Sequence, residues 1–156
     1  MQTVTTKEQI EKVLKKYPGG RENIIKCLHE LQNSNPQNYL SKDALDATAK
    51  HFNLSKGQIF GIVSYYSMFS LKPRGRNLIR LCKSPVCSML GSKSISGLIF
   101  DKTGLKPGDT SADGGITFEL AECLGRCGKA PSMMVNAEFY TGLNEEKIDE
   151  ILQKLK

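Results

Sequence analysis

The sequence predicts an α/β protein built in two parts: a helical bundle segment over residues 1–75, then a small, mostly antiparallel sheet with flanking helices over 76–156. Three observations carry that expectation. Apolar residues in the first part recur at helical spacing behind Ser and Thr helix starts. After Pro73 the apolar runs shorten, and one segment alternates strictly. The later segments then follow one another as strand, helix, strand, hairpin and helix.

Taken in order, Thr6-Lys7-Glu8-Gln9 fits a capping box, and Ile10, Val13 and Leu14 give the first helix one apolar face. Pro18-Gly19-Gly20 ends it. A second helix is expected from Arg21 to Gln32, with Ile24, Ile25, Leu28 and Leu31 at helical spacing. Asn33-Ser34-Asn35-Pro36 reads as a loop. Ser41 caps a third helix, with Leu40 and Leu45 as a hydrophobic staple. Ser55 caps a fourth, where Ser55 with Gln58 forms a box and Leu54 with Ile59 a staple.

In the second part, Arg76 to Cys82 holds the run Leu78-Ile79-Arg80-Leu81, short enough for a buried strand. Ser88 to Asp101 reads as a helix, weakened by Gly91 and Gly97. Thr103 to Gly115 is a Gly- and Pro-containing loop. Ile116-Thr117-Phe118-Glu119-Leu120 alternates as a half-buried strand. Met133-Met134-Val135 and Phe139-Tyr140, joined by Asn136-Ala137-Glu138, read as a hairpin. The last helix is capped by Asn144 and stapled by Leu143 and Ile148. Glu145 and Glu146 lie at its positive end, and Lys154 and Lys156 at its negative end.

Composition bounds the function. The 156 residues are 39% hydrophobic and 24% charged, the balance of a globular chain. No run approaches the roughly 18 apolar residues of a membrane helix, so no membrane insertion is expected. Met1 to Glu8 lacks the apolar core of a signal peptide, and a cytoplasmic location is the expectation. The net charge of +6 is uneven: residues 72–100 carry six basic and no acidic side chains. A nucleic-acid binder spreads such charge along a face with interleaved aromatics. Here the run Lys72, Arg74, Arg76, Arg80, Lys83 leads into a cysteine pair instead.

Four of the five cysteines form two tight pairs, Cys82 with Cys87 and Cys123 with Cys127, each expected in a loop directly after a strand. Such loops can bring thiolates and backbone N–H groups to one spot. Spacings of four and three residues are looser than the two-residue gap usual for structural zinc and suit a larger [2Fe–2S] cluster. A structural zinc module with four cysteine ligands and a thioredoxin-like dithiol protein stay open as alternatives. Lys83, Arg126 and Lys129 would oppose the negative charge of four thiolates, and Gly125 and Gly128 permit close backbone approach.

Several motifs carry a family resemblance. They are Cys82-X4-Cys87, Asp113-Gly114, and Cys123-Leu124-Gly125-Arg126-Cys127-Gly128-Lys129-Ala130-Pro131 followed by Met133-Met134-Val135. Together with Tyr17-Pro18, the stretch Gly61 to Phe69 and Lys72-Pro73-Arg74-Gly75, they resemble the 24-kDa-type subunit of respiratory NADH dehydrogenase. The same module is similar to the small subunit of NAD-linked hydrogenases, electron-bifurcating ones included, and of NAD-linked formate dehydrogenases. The resemblance implies a thioredoxin-like domain that binds one [2Fe–2S] cluster through Cys82, Cys87, Cys123 and Cys127. It implies a larger flavoprotein partner that holds FMN, handles NAD(H) and carries further iron–sulfur clusters. Single electrons would pass between that flavin and this chain, a subunit of an oxidoreductase complex with no active site of its own. One departure is the first loop, Lys83-Ser84-Pro85-Val86, where relatives often place Thr, Gly and Ala; Pro85 has no N–H to offer a sulfur.

The remaining candidates read more plainly. Cys27 is expected as a small buried hydrophobe. His29 and His51 do not sit beside the cysteine pairs, which disfavours a Rieske-type site. Phe60, Tyr65, Tyr66 and Phe69 suit inter-domain packing, or a partner anchor. No dinucleotide or phosphate-loop fingerprint is present, and no nucleophile–base pairing can be assembled.

Overall fold

A computed structural model describes residues 6–155. The leader expectation over residues 1–5 and the end charge of Lys156 lie outside them. The chain divides into two compact units, Met1–Arg74 and Gly75–Lys156. Among the described residues no helix is long and apolar enough to cross a membrane.

The first unit holds α1 (Lys7–Leu14), α2 (Ile24–Asn33), α3 (Lys42–His51) and α4 (Lys56–Tyr65). The caps form as the sequence predicts. Thr6 with Gln9 and Ser55 with Gln58 make full capping boxes, and the Ser41 hydroxyl accepts the Ala44 N–H. One difference lies ahead of α2, where Arg21–Asn23 form a 3-10 turn. Ile10, Leu14, Cys27, Leu28, Leu31, Ile59 and Phe69 share one apolar core. Phe69 is thus buried, whereas Phe60, Tyr65 and Tyr66 are exposed.

The second unit holds β1 (Asn77–Cys82), α5 (Pro85–Met89), α6 (Ser92–Thr103), β2 (Ile116–Ala121), β3 (Ser132–Val135), β4 (Glu138–Thr141) and α7 (Glu145–Lys154). The sheet order is β2-β1-β3-β4. β1 runs parallel to β2, and the β1–β3 and β3–β4 pairings are antiparallel. Ile79, Leu81, Phe118, Met133 and Val135 form one core with Ile95 and Ile99 of α6 and Ile148 and Ile151 of α7.

This topology positions the cysteines. Because β1 and β2 are parallel and in register to Cys82↔Ala121, both end at the same sheet edge. β3 runs the other way with Leu81↔Met133, so its first residue, Ser132, begins at that edge. Two strand ends and one strand start therefore meet there, the place where α/β sheets commonly hold ligands.

Three expectations for this unit need correction. The helix read over 88–101 is two helices, because Gly91 takes a left-handed φ of 101° that other residues avoid. The segment around Cys87 is not a loop: Pro85 starts α5 at the first helical position, where a missing N–H costs nothing, and Cys87 sits within that helix. In β2 the simple alternation fails, since Thr117 is buried and Leu120 exposed. The Thr117 hydroxyl accepts the Gly75 N–H at 2.7 Å and hydrogen-bonds Thr110 at 2.7 Å, which satisfies its polar group inside the fold.

The basic run is also largely consumed internally. Arg74 is buried, with its N–H on the Gln37 carbonyl and its guanidinium on the Met68 carbonyl. Arg80, also buried, meets Glu119 across the parallel pair at 3.4 Å. The basic run from Lys72 to Lys83 is therefore not a continuous exposed stripe, being buried at Arg74 and Arg80.

Candidate iron–sulfur site

Cys82 closes β1 and Cys87 lies in α5, and both are 1% exposed. Cys123 and Cys127 follow β2 and are exposed. The two segments are tied together. The Lys83 N–H donates to the Ala121 carbonyl at 2.9 Å, and the Lys83 ammonium pairs with Glu122 at 2.9 Å. Lys83 is thus partly neutralised by Glu122, a partner the sequence does not reveal, and brings less positive charge than expected.

The sulfurs sense one another. Cys123 Sγ lies 3.6 Å from Cys127 Sγ. Burial pushes the Cys82 thiol up, but hydrogen bonds from Ser84, from the Leu124 backbone and from Cys87 outweigh it and bring it to about 7. The Leu124 bond crosses from the second cysteine loop to the first. The Cys127 thiol is raised, chiefly by its hydrogen bond with Cys123 and its charge, with Cys87 and Cys82 contributing at longer range. Among the described residues no three His, Cys, Asp or Glu side chains stand ready to hold a single ion. The exposed pair, Cys123 and Cys127, thus lies in the segment that the Lys83 and Leu124 backbone bonds tie to the end of β1, where Cys82 is buried.

Polar groups surround the sulfurs. The Ser84 hydroxyl lies 3.1 Å from Cys82 Sγ and the Ser132 hydroxyl 3.5 Å from Cys87 Sγ. The Gly125 N–H donates to Cys123 Sγ at 3.4 Å, from a turn in which Gly125 has a left-handed φ of 71°. The Arg126 guanidinium sits 4.8 Å over the Phe139 ring, which fixes a positive charge in the residue next to Cys127. Ser84 could have been noticed because it lies inside the Cys82–Cys87 motif. Ser132 carries no signal beyond following Pro131, and only the strand order brings it to Cys87.

Other sequence candidates take structural roles. Asp113 and Gly114 shape the turn before β2, with the Gly115 N–H on the Asp113 carboxylate at 3.0 Å. Tyr17 donates its hydroxyl to Glu30 at 2.7 Å. His51 bonds the Tyr17 carbonyl at 2.7 Å and His29 stacks on Phe69, both in the helical unit. Cys27 is fully buried in that unit's core, and burial pushes its thiol up to about 11. Cys27→Ala is expected to leave iron content and visible spectrum unchanged, at a stability cost on the order of 1 kcal/mol for lost apolar burial. Iron analysis and thermal unfolding check both halves.

A four-stranded mixed sheet whose parallel neighbours β1 and β2 each lead into a cysteine pair defines the class: an α/β domain with two pairs of free thiols after adjacent strands. Comparison with known proteins makes the class particular. The family described as thioredoxin-like [2Fe-2S] ferredoxin matches residues 10–156, and this chain belongs to it. The chain is 31% identical over 148 residues to a NADH-quinone oxidoreductase subunit of Aquifex aeolicus, covering 95% of this chain and 91% of that protein. It is 31% identical over 150 residues to the corresponding subunit of Escherichia coli K12, covering 96% and 89%. Its fold is similar to part of a NAD+-reducing [NiFe]-hydrogenase, with a TM-score of 0.75 at 22% identity over 85% of this chain. The chain spans only 22% of that hydrogenase chain.

The cofactor of the family is a [2Fe–2S] cluster. As a donor set the four sulfurs fit it. Two thiolates on one tetrahedral metal, each at about 2.3 Å, lie roughly 3.7 Å apart, close to the 3.6 Å between Cys123 and Cys127. Backbone N–H groups and hydroxyls already point at sulfur, as an anionic cluster requires.

Proposed function

We propose that this chain is an electron-transfer subunit in which Cys82, Cys87, Cys123 and Cys127 hold one [2Fe–2S] cluster. It exchanges single electrons with the FMN of an NAD(P)H-linked flavoprotein in a larger, cytoplasmic oxidoreductase assembly. The carrying observation is the pair of thiol pairs after two adjacent parallel strands: Cys123 and Cys127 spaced at 3.6 Å and open to solvent, Cys82 and Cys87 buried. When bound, the cluster supplies a one-electron store. The protein's own groups hold its sulfurs, shield one side from water and leave the other side accessible.

Several features support a partner at that side. Val86, Met89 and Leu90, on or just after the helix that carries Cys87, are exposed, as is Phe139 beneath Arg126. Apolar and aromatic surface next to an exposed redox edge suits the core of a protein interface. Similarity over almost the full chain to subunits of NADH-quinone oxidoreductase points the same way. The thiol-bearing unit would then both carry the electron and present the partner surface.

Isolation of the tagged chain from its native cells tests this reading. A companion that contains FMN and binds NAD(H) should co-purify, and NADH should reduce the complex. A chain recovered quantitatively alone, with no NADH-dependent reduction in the extract, contradicts it. One stoichiometric zinc and no colour would favour the structural zinc module, and iron-free disulfide reduction the dithiol protein.

A further inference from the structure

Two hydroxyls at the site remain unexplained by cysteine ligation alone. Ser84 stands at the N-cap of α5, where a Ser side chain ordinarily accepts a backbone N–H of the first turn. Here it makes no cap bond, and its oxygen lies 3.1 Å from Cys82 Sγ. Ser132, 1% exposed at the start of β3, places its oxygen 3.5 Å from Cys87 Sγ. Each buried thiol therefore faces one buried hydroxyl, delivered by a different element. Cys123, on the open side, takes a backbone N–H instead.

We propose that Ser84 and Ser132 are positioning residues that donate hydrogen bonds to the Cys82 and Cys87 sulfurs and thereby raise the reduction potential of the cluster. The inference rests on the ligand assignment above. A metal-bound thiolate has no proton, so in each pair the hydroxyl must be the donor. One-electron reduction adds negative charge to the sulfurs, with no proton or bond exchanged. A donor held at sulfur stabilises the reduced form more than the oxidised one. Both hydroxyls are shut away from water, which would otherwise compete for them.

The test is a redox titration of the cluster-loaded full chain against a chemical reductant, followed by the reduced EPR signal. Ser84→Ala and Ser132→Ala should each lower the midpoint potential. The shift should correspond to about three- to tenfold in the redox equilibrium, tenfold being 59 mV for one electron. Iron content should stay at the wild-type level, and Ser84→Thr, which keeps the hydroxyl, should restore the potential. Ser84→Gly provides a second variant should alanine prevent loading, because Gly is tolerated at an N-cap. Fully loaded Ser84→Gly and Ser132→Ala proteins with the wild-type potential would overturn this inference alone. A wild-type chain without iron or EPR signal would instead overturn the ligand assignment beneath it.

Discussion

Cys82→Ser and Cys127→Ser are each expected to yield a chain that loses or barely retains its iron, while the wild-type chain prepared alongside stays brown. Removal of partners around metal sites weakens binding about 10- to 100-fold, and loss of a thiolate ligand should reach at least that scale. The two positions fail for different reasons. Cys82 is buried between Ser84 and the Leu124 N–H, so a serine there places a hydroxyl where those donors were arranged for sulfur. Cys127 is exposed and pairs directly with Cys123, so its replacement breaks one of the two pairs. Iron content per chain and visible absorption read the outcome. Wild-type values in these two variants and in Cys87→Ser and Cys123→Ser would contradict the assignment.

Phe118→Ala should produce the largest loss of stability in the sheet unit, about 3–5 kcal/mol for a fully buried aromatic ring. Phe118 is 0% exposed, sits in the β2 register opposite Ile79 and shares the core with Leu81, Met133 and Ile148. Its loss leaves a cavity beneath the strand that delivers the Cys123 loop. Since whole domains are stable by about 5–15 kcal/mol, the variant should unfold at markedly lower temperature or denaturant. Chemical unfolding followed by circular dichroism measures it. A midpoint within error of wild type would contradict the packing described for this core.

Much of the fold is legible in the sequence because its signals are local. Capping boxes at Thr6 and Ser55 and the Asn144 cap each depend on residues three apart, and all form as read. The cysteine pairs are legible for the same reason, since ligand spacing is a property of short segments. What the sequence hides is set by pairing across the chain. The parallel registry Cys82↔Ala121, the arrival of Ser132 beside Cys87 and the Lys83–Glu122 tie all join segments about forty residues apart or more. Thr117 misleads because a polar residue in an alternating strand reads as outward, yet its hydroxyl is satisfied inside by Gly75 and Thr110. The arginines of the basic run mislead likewise. Arg74 and Arg80 find internal carbonyl and carboxylate partners that charge counting cannot show.

The most direct measurement is iron, acid-labile sulfide and zinc content of the purified full chain, with an EPR spectrum after reduction. The prediction is two iron and two sulfide per chain, in keeping with the family's [2Fe–2S] cofactor, and a single paramagnetic signal that appears on adding one electron. One zinc per chain, no labile sulfide and no signal after reduction would contradict it.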